Sequence, residues 1–268
     1  MTVLDRDQAV ATLDAAFDAL TALTGELAPD EWDLPTSCPG WSVKDNVSHV
    51  IGIESLLLGR PSPEIPLPDE LPHVRNDFGR ANELWVELYR HRSTDEVLAD
   101  LHKVIAERRK VLAGMDQTAF DQEALTPAGP DTYGRFMRIR TMDVWFHDQD
   151  IREAVGRPGH LDGPAPAAAL DEVAAVLGYV VGKRAAVPAG SSVRFDLTGP
   201  LARRIDVAVG DRARVVDEIP GDPTTTLTVA GDRFMRLCGG RSADTSVVAI
   251  AGDRALGESV AANLGYMI

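Results

Sequence analysis

The chain has 268 residues, 41 of them acidic and 27 basic, for a formal net charge of -14. No Lys/Arg-rich tract is present that would neutralise phosphates in register, so nucleic acid is not an expected partner. Its two cysteines, Cys38 and Cys238, lie far apart and outside any C-x-x-C arrangement, so neither a disulfide framework nor a thiolate metal cluster is indicated.

From the N-terminus, Val10, Leu13, Phe17, Leu20 and Leu27 predict an amphipathic helix, with no positively charged start and apolar block of a signal peptide before it. No segment approaches about eighteen uninterrupted apolar residues, so the expectation is a cytoplasmic protein without a membrane span. A second helix is predicted from Ser42 to Leu58, capped at Ser42, with Val43, Val47, Val50 and Leu57 giving its apolar period. Pro61 to Pro72 reads as a proline-rich loop. Phe78, Ala81, Trp85 and Leu88 mark a third helix. Val97, Leu98, Leu101, Val104, Ile105, Val111 and Leu112 mark a fourth, ended by Gly114 and a polar stretch to Asp131. Phe136, Ile139, Met142, Phe146, Ile151 and Ala154 carry a further helix that stops at Gly156-Arg-Pro158-Gly159. Long helices joined by modest loops predict a bundle over residues 1–158.

Gly159 through Pro166 reads as a linker, followed by a helix from Ala167 to about Arg184. Strands are then predicted at Val193–Leu197, Ile205–Val209, Arg214–Val216 and Thr226–Val229, where β-branched residues alternate between Gly, Pro and Asp turns. Phe234 and Leu237, then Leu256, Val260 and Leu264, supply two short helices to cover one face of a small mixed sheet. Residues 159–268 are therefore expected to form an α+β domain, and the chain as a whole an α+β protein of two domains.

One stretch of the last bundle helix carries chemistry. Steps of three and four residues return to one side of a helix, so Arg140, Asp143, His147 and Asp150 share a stripe. Asp143 and His147, one turn apart, are placed as two ligands to one metal ion, and His49 on the second helix is the candidate third. Two neutral imidazoles and a carboxylate would leave a divalent ion with net positive charge and an open coordination position. A satisfied helix-edge histidine and a surface Asp/His pair produce the same spacing, and no dense H-E-x-x-H cluster is present to decide. Asp150 is a candidate to orient an imidazole and Arg140 to hold a carboxylate, or the two to form a structural ion pair. Arg241, after Gly239-Gly240, is a candidate anion-binding residue from the second domain. Trp41 and Trp145 read as packing residues, Trp41 also as a pocket wall. Cys38 lies in a turn near His49 without an evident activating neighbour.

The segment Leu34-Pro-Thr-Ser-Cys38-Pro-Gly40-Trp41-Ser-Val-Lys-Asp45-Asn-Val-Ser-His49, with the later Asp143-Val-Trp-Phe-His147-Asp-Gln-Asp150, resembles the mycothiol-dependent maleylpyruvate isomerase family of actinobacteria, within the DinB-like metalloenzymes. The stretch from Asp222 through Phe234 and Leu237 to Arg241, with Gly252-Asp253 and Asn263-Leu264-Gly265, is similar to the sterol-carrier-like domain that ends many members. The resemblance implies a DinB-like helical bundle followed by a small sterol-carrier-like α+β domain. It implies zinc, Zn2+, at His49, Asp143 and His147, where the family's acidic ligand is typically Glu rather than the shorter Asp143, so another divalent metal is also accommodated. It implies mycothiol as cosubstrate, acting on a small-molecule electrophile either as a cis/trans isomerase or as a thiol transferase. Two other classes stay open: a non-catalytic small-molecule or lipid-binding protein, and a metal-dependent hydrolase that works without added thiol.

Overall fold

The computed structural model describes residues 1–267; position 268, the last of the expected second domain, lies outside the described residues. The chain forms two compact units, Met1–His160 and Leu161–Ile268.

The first unit is built on long helices: α1 (Arg6–Gly25), α2 (Val43–Leu57), α3 (Asp77–Arg90), α4 (Thr94–Ala113) and α6 (Tyr133–Ala154), with a single turn α5 (Gln117–Phe120) before a short hairpin. Each start has a local cause. Ser42 and Asp45 close a capping box on α2, and Ser93 with Glu96 does the same on α4. Thr132 accepts from the Arg135 N–H at the start of α6, satisfying a donor the first helical turn leaves open. The hairpin, β1 (Glu123–Thr126) with β2 (Gly129–Thr132), falls at the end of the polar stretch that follows Gly114, where no strand is predicted; Gly129 at φ 96° makes its turn.

In this unit α2 packs against α3, α4 and α6, while α1 lies against α4 and α6. Because α2 meets helices on several sides, its polar residues Asp45, Asn46, Ser48, His49, Glu54 and Ser55 are buried together with Val43, Val47 and Val50. The apolar period read in this helix thus marks only part of its buried surface: these polar residues also face other helices. Gly52 permits the close approach of α3, since a Cβ there would lie 2.5 Å from Trp85 Cγ.

The second unit opens with α7 (Pro164–Tyr179), which starts ahead of the expected Ala167 because Pro164 and Pro166 fit a first helical turn, where no N–H is required. A π turn over Val180–Arg184 completes the segment. By length and composition Pro164–Arg184 would suffice to cross a membrane, but it includes Asp171 and Glu172 and packs on its own sheet. Among the described residues the sheet is five-stranded, in the order β5 (Ala213–Val216), β4 (Arg203–Val209), β3 (Ser192–Thr198), β6 (Thr225–Ala230), β7 (Ala249–Gly252). Only the β3–β6 pair is parallel, which makes the sheet mixed.

The register aligns one apolar face: Phe195 lies opposite Ile205 and Leu227, and Leu197 opposite Val229, all buried. Helices α8 (Gly231–Cys238) and α9 (Arg254–Ala262) pack on the sheet, Phe234 meeting Phe195 with ring centroids 5.6 Å apart. The opposite face is polar, with Arg194 held by both oxygens of Asp206 at 2.8 and 2.9 Å.

The first unit closes just beyond the expected boundary at 158. The Trp145 indole donates to the His160 carbonyl at 2.8 Å, and the His160 ring bonds Asp148 at 2.9 Å. These bonds tie residues 159–160 to α6.

Candidate metal centre

Within the first unit, α2 and α6 bring His49, Asp143 and His147 together, with one ligand-type atom from each lying within 4.8 Å of the others. His49 Nε2 is 3.2 Å from Asp143 Oδ2, and His147 Nε2 is 3.7 Å from Asp143 Oδ1. The Asp143 side chain, although one methylene shorter than Glu, reaches both imidazoles. The rings meet edge to face with centroids 4.7 Å apart, and Trp41 stands against both, 5.1 Å from His49 and 5.8 Å from His147. Both histidines are buried.

The stripe inferred on α6 is continuous in space. Arg140 bonds Asp143 through Nη1 and Glu54 through Nε, the latter at 2.9 Å. Arg108 reaches the other oxygen of Glu54 at 2.8 Å. Arg140 is thus buried between two carboxylates, one of them a candidate ligand. Asp150 sits at the far end, its Oδ2 3.3 Å from His147 Nδ1 and 3.1 Å from Cys38 Sγ. Cys38 therefore has a carboxylate neighbour that sequence spacing did not disclose. Arg241 lies in the second unit, where its guanidinium donates to the Gly239 carbonyl at 2.7 Å.

Three residues that sequence reasoning passed over complete the site. Asn46, one turn before His49, places Oδ1 2.7 Å from His147 Nδ1. Glu54 is the fully buried counter-charge of Arg108 and Arg140. Glu83 on α3 accepts from the Trp41 indole and bonds His73 at 2.6 Å, fixing the aromatic wall. Asn46, three residues before His49, shares its side of the helix, a spacing the sequence displays without naming its partner; Glu54, five residues on, and Glu83, on another helix, carried no such signal.

The electrostatics sort the donors. Burial lowers the His49 pKa, outweighing the pull of Asp143, and so favours the neutral ring. Burial also opposes charge on Asp143, yet Arg140, His49 and His147 hold its carboxyl well below the ordinary value. For His147 burial is overcome by Asp143, Asp150 and Cys38, which raise its pKa well above that of a free imidazole. Two ring nitrogens and a carboxylate oxygen suit a borderline-soft divalent ion such as zinc, so the residues present fit a metal.

The family profile described as mycothiol maleylpyruvate isomerase N-terminal domain matches residues 13–152, which is just over half of the chain. The chain belongs to that family. The matched span of this family member includes His49, Asp143 and His147. Two solved structures of mycothiol-dependent maleylpyruvate isomerase, one of them a histidine-to-alanine mutant, have similar folds. The TM-scores are 0.60 at 17% identity and 0.58 at 16%, with 94% of this chain and 96% of the other covered in each case. Two uncharacterized proteins from strains of Mycobacterium tuberculosis are 27% identical over 149 residues, or 55% of this chain. The chain spans 56% of the length of these curated relatives.

Proposed function

We propose that this protein is a metal-dependent enzyme that uses a low-molecular-weight thiol, mycothiol by family, against a small electrophile, with cis/trans isomerisation of a maleylpyruvate-type diacid as the leading reaction. The observation that carries this reading is the convergence of His49, Asp143 and His147 beside an aromatic wall, in a chain whose family match contains all three. The ligand set is His49, Asp143 and His147, and zinc is the ion that set suits best. A divalent cation bound there supplies positive charge that favours thiolate over thiol near neutral pH. The chain's own residues hold that site in shape. Arg140, itself tied to Glu54, fixes the carboxylate; Asn46 and Asp150 fix the His147 ring; Trp41 limits solvent at the two imidazoles. In isomerisation the thiol sulfur adds to the cis double bond, the resulting single bond rotates, and expulsion of the same thiolate restores the double bond as trans. The protein need not donate a nucleophile of its own. The second unit is the counterpart of the sterol-carrier-like domain inferred from sequence, with the buried face of its sheet met by its own helices.

Metal content and mycothiol-dependent consumption of maleylpyruvate, measured for wild type and for His49→Ala, Asp143→Ala and His147→Ala, test this reading. The expected result is near-stoichiometric metal in wild type, with metal and turnover lost together in each variant. Full metal occupancy in all three variants would refute the ligand assignment. Turnover that ignores added thiol would favour a hydrolase.

A further inference from the structure

His147 stands at the junction of two donor sets. One is His49, Asp143 and His147; the other is Cys38, His147 and Asp150, whose ligand-type atoms also lie within 4.8 Å of one another. The second set offers sulfur, nitrogen and oxygen, and a borderline-soft ion is attracted to thiolate at least as strongly as to carboxylate. Ligation by the first set uses His147 Nε2, whereas Asp150 approaches Nδ1. Which set can form depends on where the imidazole proton sits.

Asn46 decides that. Its side chain is fully buried, and its amide Nδ2 is 2.8 Å from the Ser42 carbonyl and 2.9 Å from Thr36 Oγ1. A backbone carbonyl has no proton to give, so the amide must face it with nitrogen. Oδ1 is then the atom 2.7 Å from His147 Nδ1, and an amide oxygen only accepts. Nδ1 must therefore carry a proton, and a protonated ring nitrogen does not ligate. Flipping the amide would forfeit the bond to Ser42 and set oxygen against oxygen. Resting on the metal-site reading above, we propose that Asn46 is a positioning residue that commits His147 to the His49/Asp143 set and withholds it from the thiolate-containing set formed with Cys38 and Asp150. Its effect is that the ion is not captured by the protein's own sulfur, which leaves thiolate ligation to an external thiol.

Cobalt(II) substitution of the full chain tests this, since a thiolate ligand gives a near-ultraviolet sulfur-to-cobalt charge-transfer band and imidazole or carboxylate does not. Wild type should bind Co2+ without that band, and nitrogen-15 NMR of the Zn2+-loaded protein should show a proton on His147 Nδ1. Asn46→Leu, similar in size but without an acceptor, should bind Co2+ about 10–100-fold more weakly and acquire the band, and a further Cys38→Ser should abolish it. A charge-transfer band in wild type, or an unprotonated Nδ1, overturns the proposal while leaving the metal reading intact. Folded Asn46→Leu with wild-type affinity and no band overturns it as well. Wild type that binds no Co2+, or binds it equally after His49→Ala, overturns both. The two wild-type measurements decide the matter even where Asn46→Leu fails to fold.

Discussion

At Asp143 and His147, burial opposes charge and the neighbouring groups favour it. The neighbours prevail, so near neutral pH the metal-free pair is carboxylate against imidazolium while His49 is neutral. A metal ligand must present a lone pair, so an ion arriving at this site displaces the proton on His147 Nε2. We predict release of about one proton per ion near pH 7, read as the dependence of binding heat on the ionisation enthalpy of the buffer. Apparent affinity should rise with pH until His147 deprotonates by itself, then level off. Release should grow on the acid side as His49 also charges. Metal uptake without proton release would mean that His147 is not a ligand. Stability without metal follows the same groups by linkage. The raised His147 contributes below its unfolded pKa, and that contribution fades as pH rises through the folded value. The depressed Asp143 contributes above the ordinary carboxylate range and loses its contribution as pH falls through its folded value.

Helix α2 carries the site because it is enclosed on several sides, and that enclosure depends on Gly52. A methyl group there would stand 2.5 Å from Cγ and 2.6 Å from Cβ of Trp85, atoms close to the α3 backbone that cannot swing away. Replacing Gly52 by Ala gains about 1 kcal/mol of helix propensity, but forcing a methyl into a filled core costs about 1–3 kcal/mol. The second effect should win: Gly52→Ala is expected to lower the urea midpoint with an unchanged slope, and an increase would show that α3 yields freely. The long helices of this unit were legible in the sequence, because apolar period and capping residues are local. So was the α6 stripe, since residues three and four apart must share a face. The all-round burial of α2 was not. Asp45, Asn46 and Glu54 look like a solvent face until Arg90, Arg108 and His147 arrive from other helices to bond them. Polarity is written in the chain, but its partners are tens of residues away. The β1–β2 hairpin escaped notice because each strand is only four residues, interrupted by turn residues. Strand β7 did so because Ala249-Ile-Ala-Gly252 has one β-branched residue and takes its extended form from pairing with β6.

Across the whole molecule, buried carboxylates fasten distant segments in each unit. Asp131 accepts from the Thr2 backbone at 2.6 Å, the Thr132 backbone at 2.8 Å and Arg135 at 2.9 Å, tying the N-terminal segment ahead of α1 to the start of α6. In the second unit Asp206 receives Arg194 and the Ile219 N–H. Burial opposes ionisation of Asp131, but these donors hold its carboxyl far below the ordinary value. For Asp206 the Arg194 bonds lead and the direction is the same. A net charge of -14 strains the folded chain by self-repulsion near pH 7, and mild acidification relieves that before it reaches such depressed carboxylates. Asp131→Asn should therefore cost about 2 kcal/mol near neutral pH, the usual worth of hydrogen bonds to a charged group. The sign of its pH dependence follows from the depressed pKa: the deficit relative to wild type is full above the unfolded aspartate value of about 3.9 and shrinks as pH falls toward the folded one. Tryptophan fluorescence isolates the relevant half of the molecule, because Trp32, Trp41, Trp85 and Trp145, which are all four tryptophans of the chain, belong to Met1–His160. Urea titrations followed by that signal at pH 7 and again near pH 2 should show the Asp131→Asn deficit at the first and its decline at the second. A deficit that stayed constant over this range would assign the loss to packing at Asp131 and not to its charge.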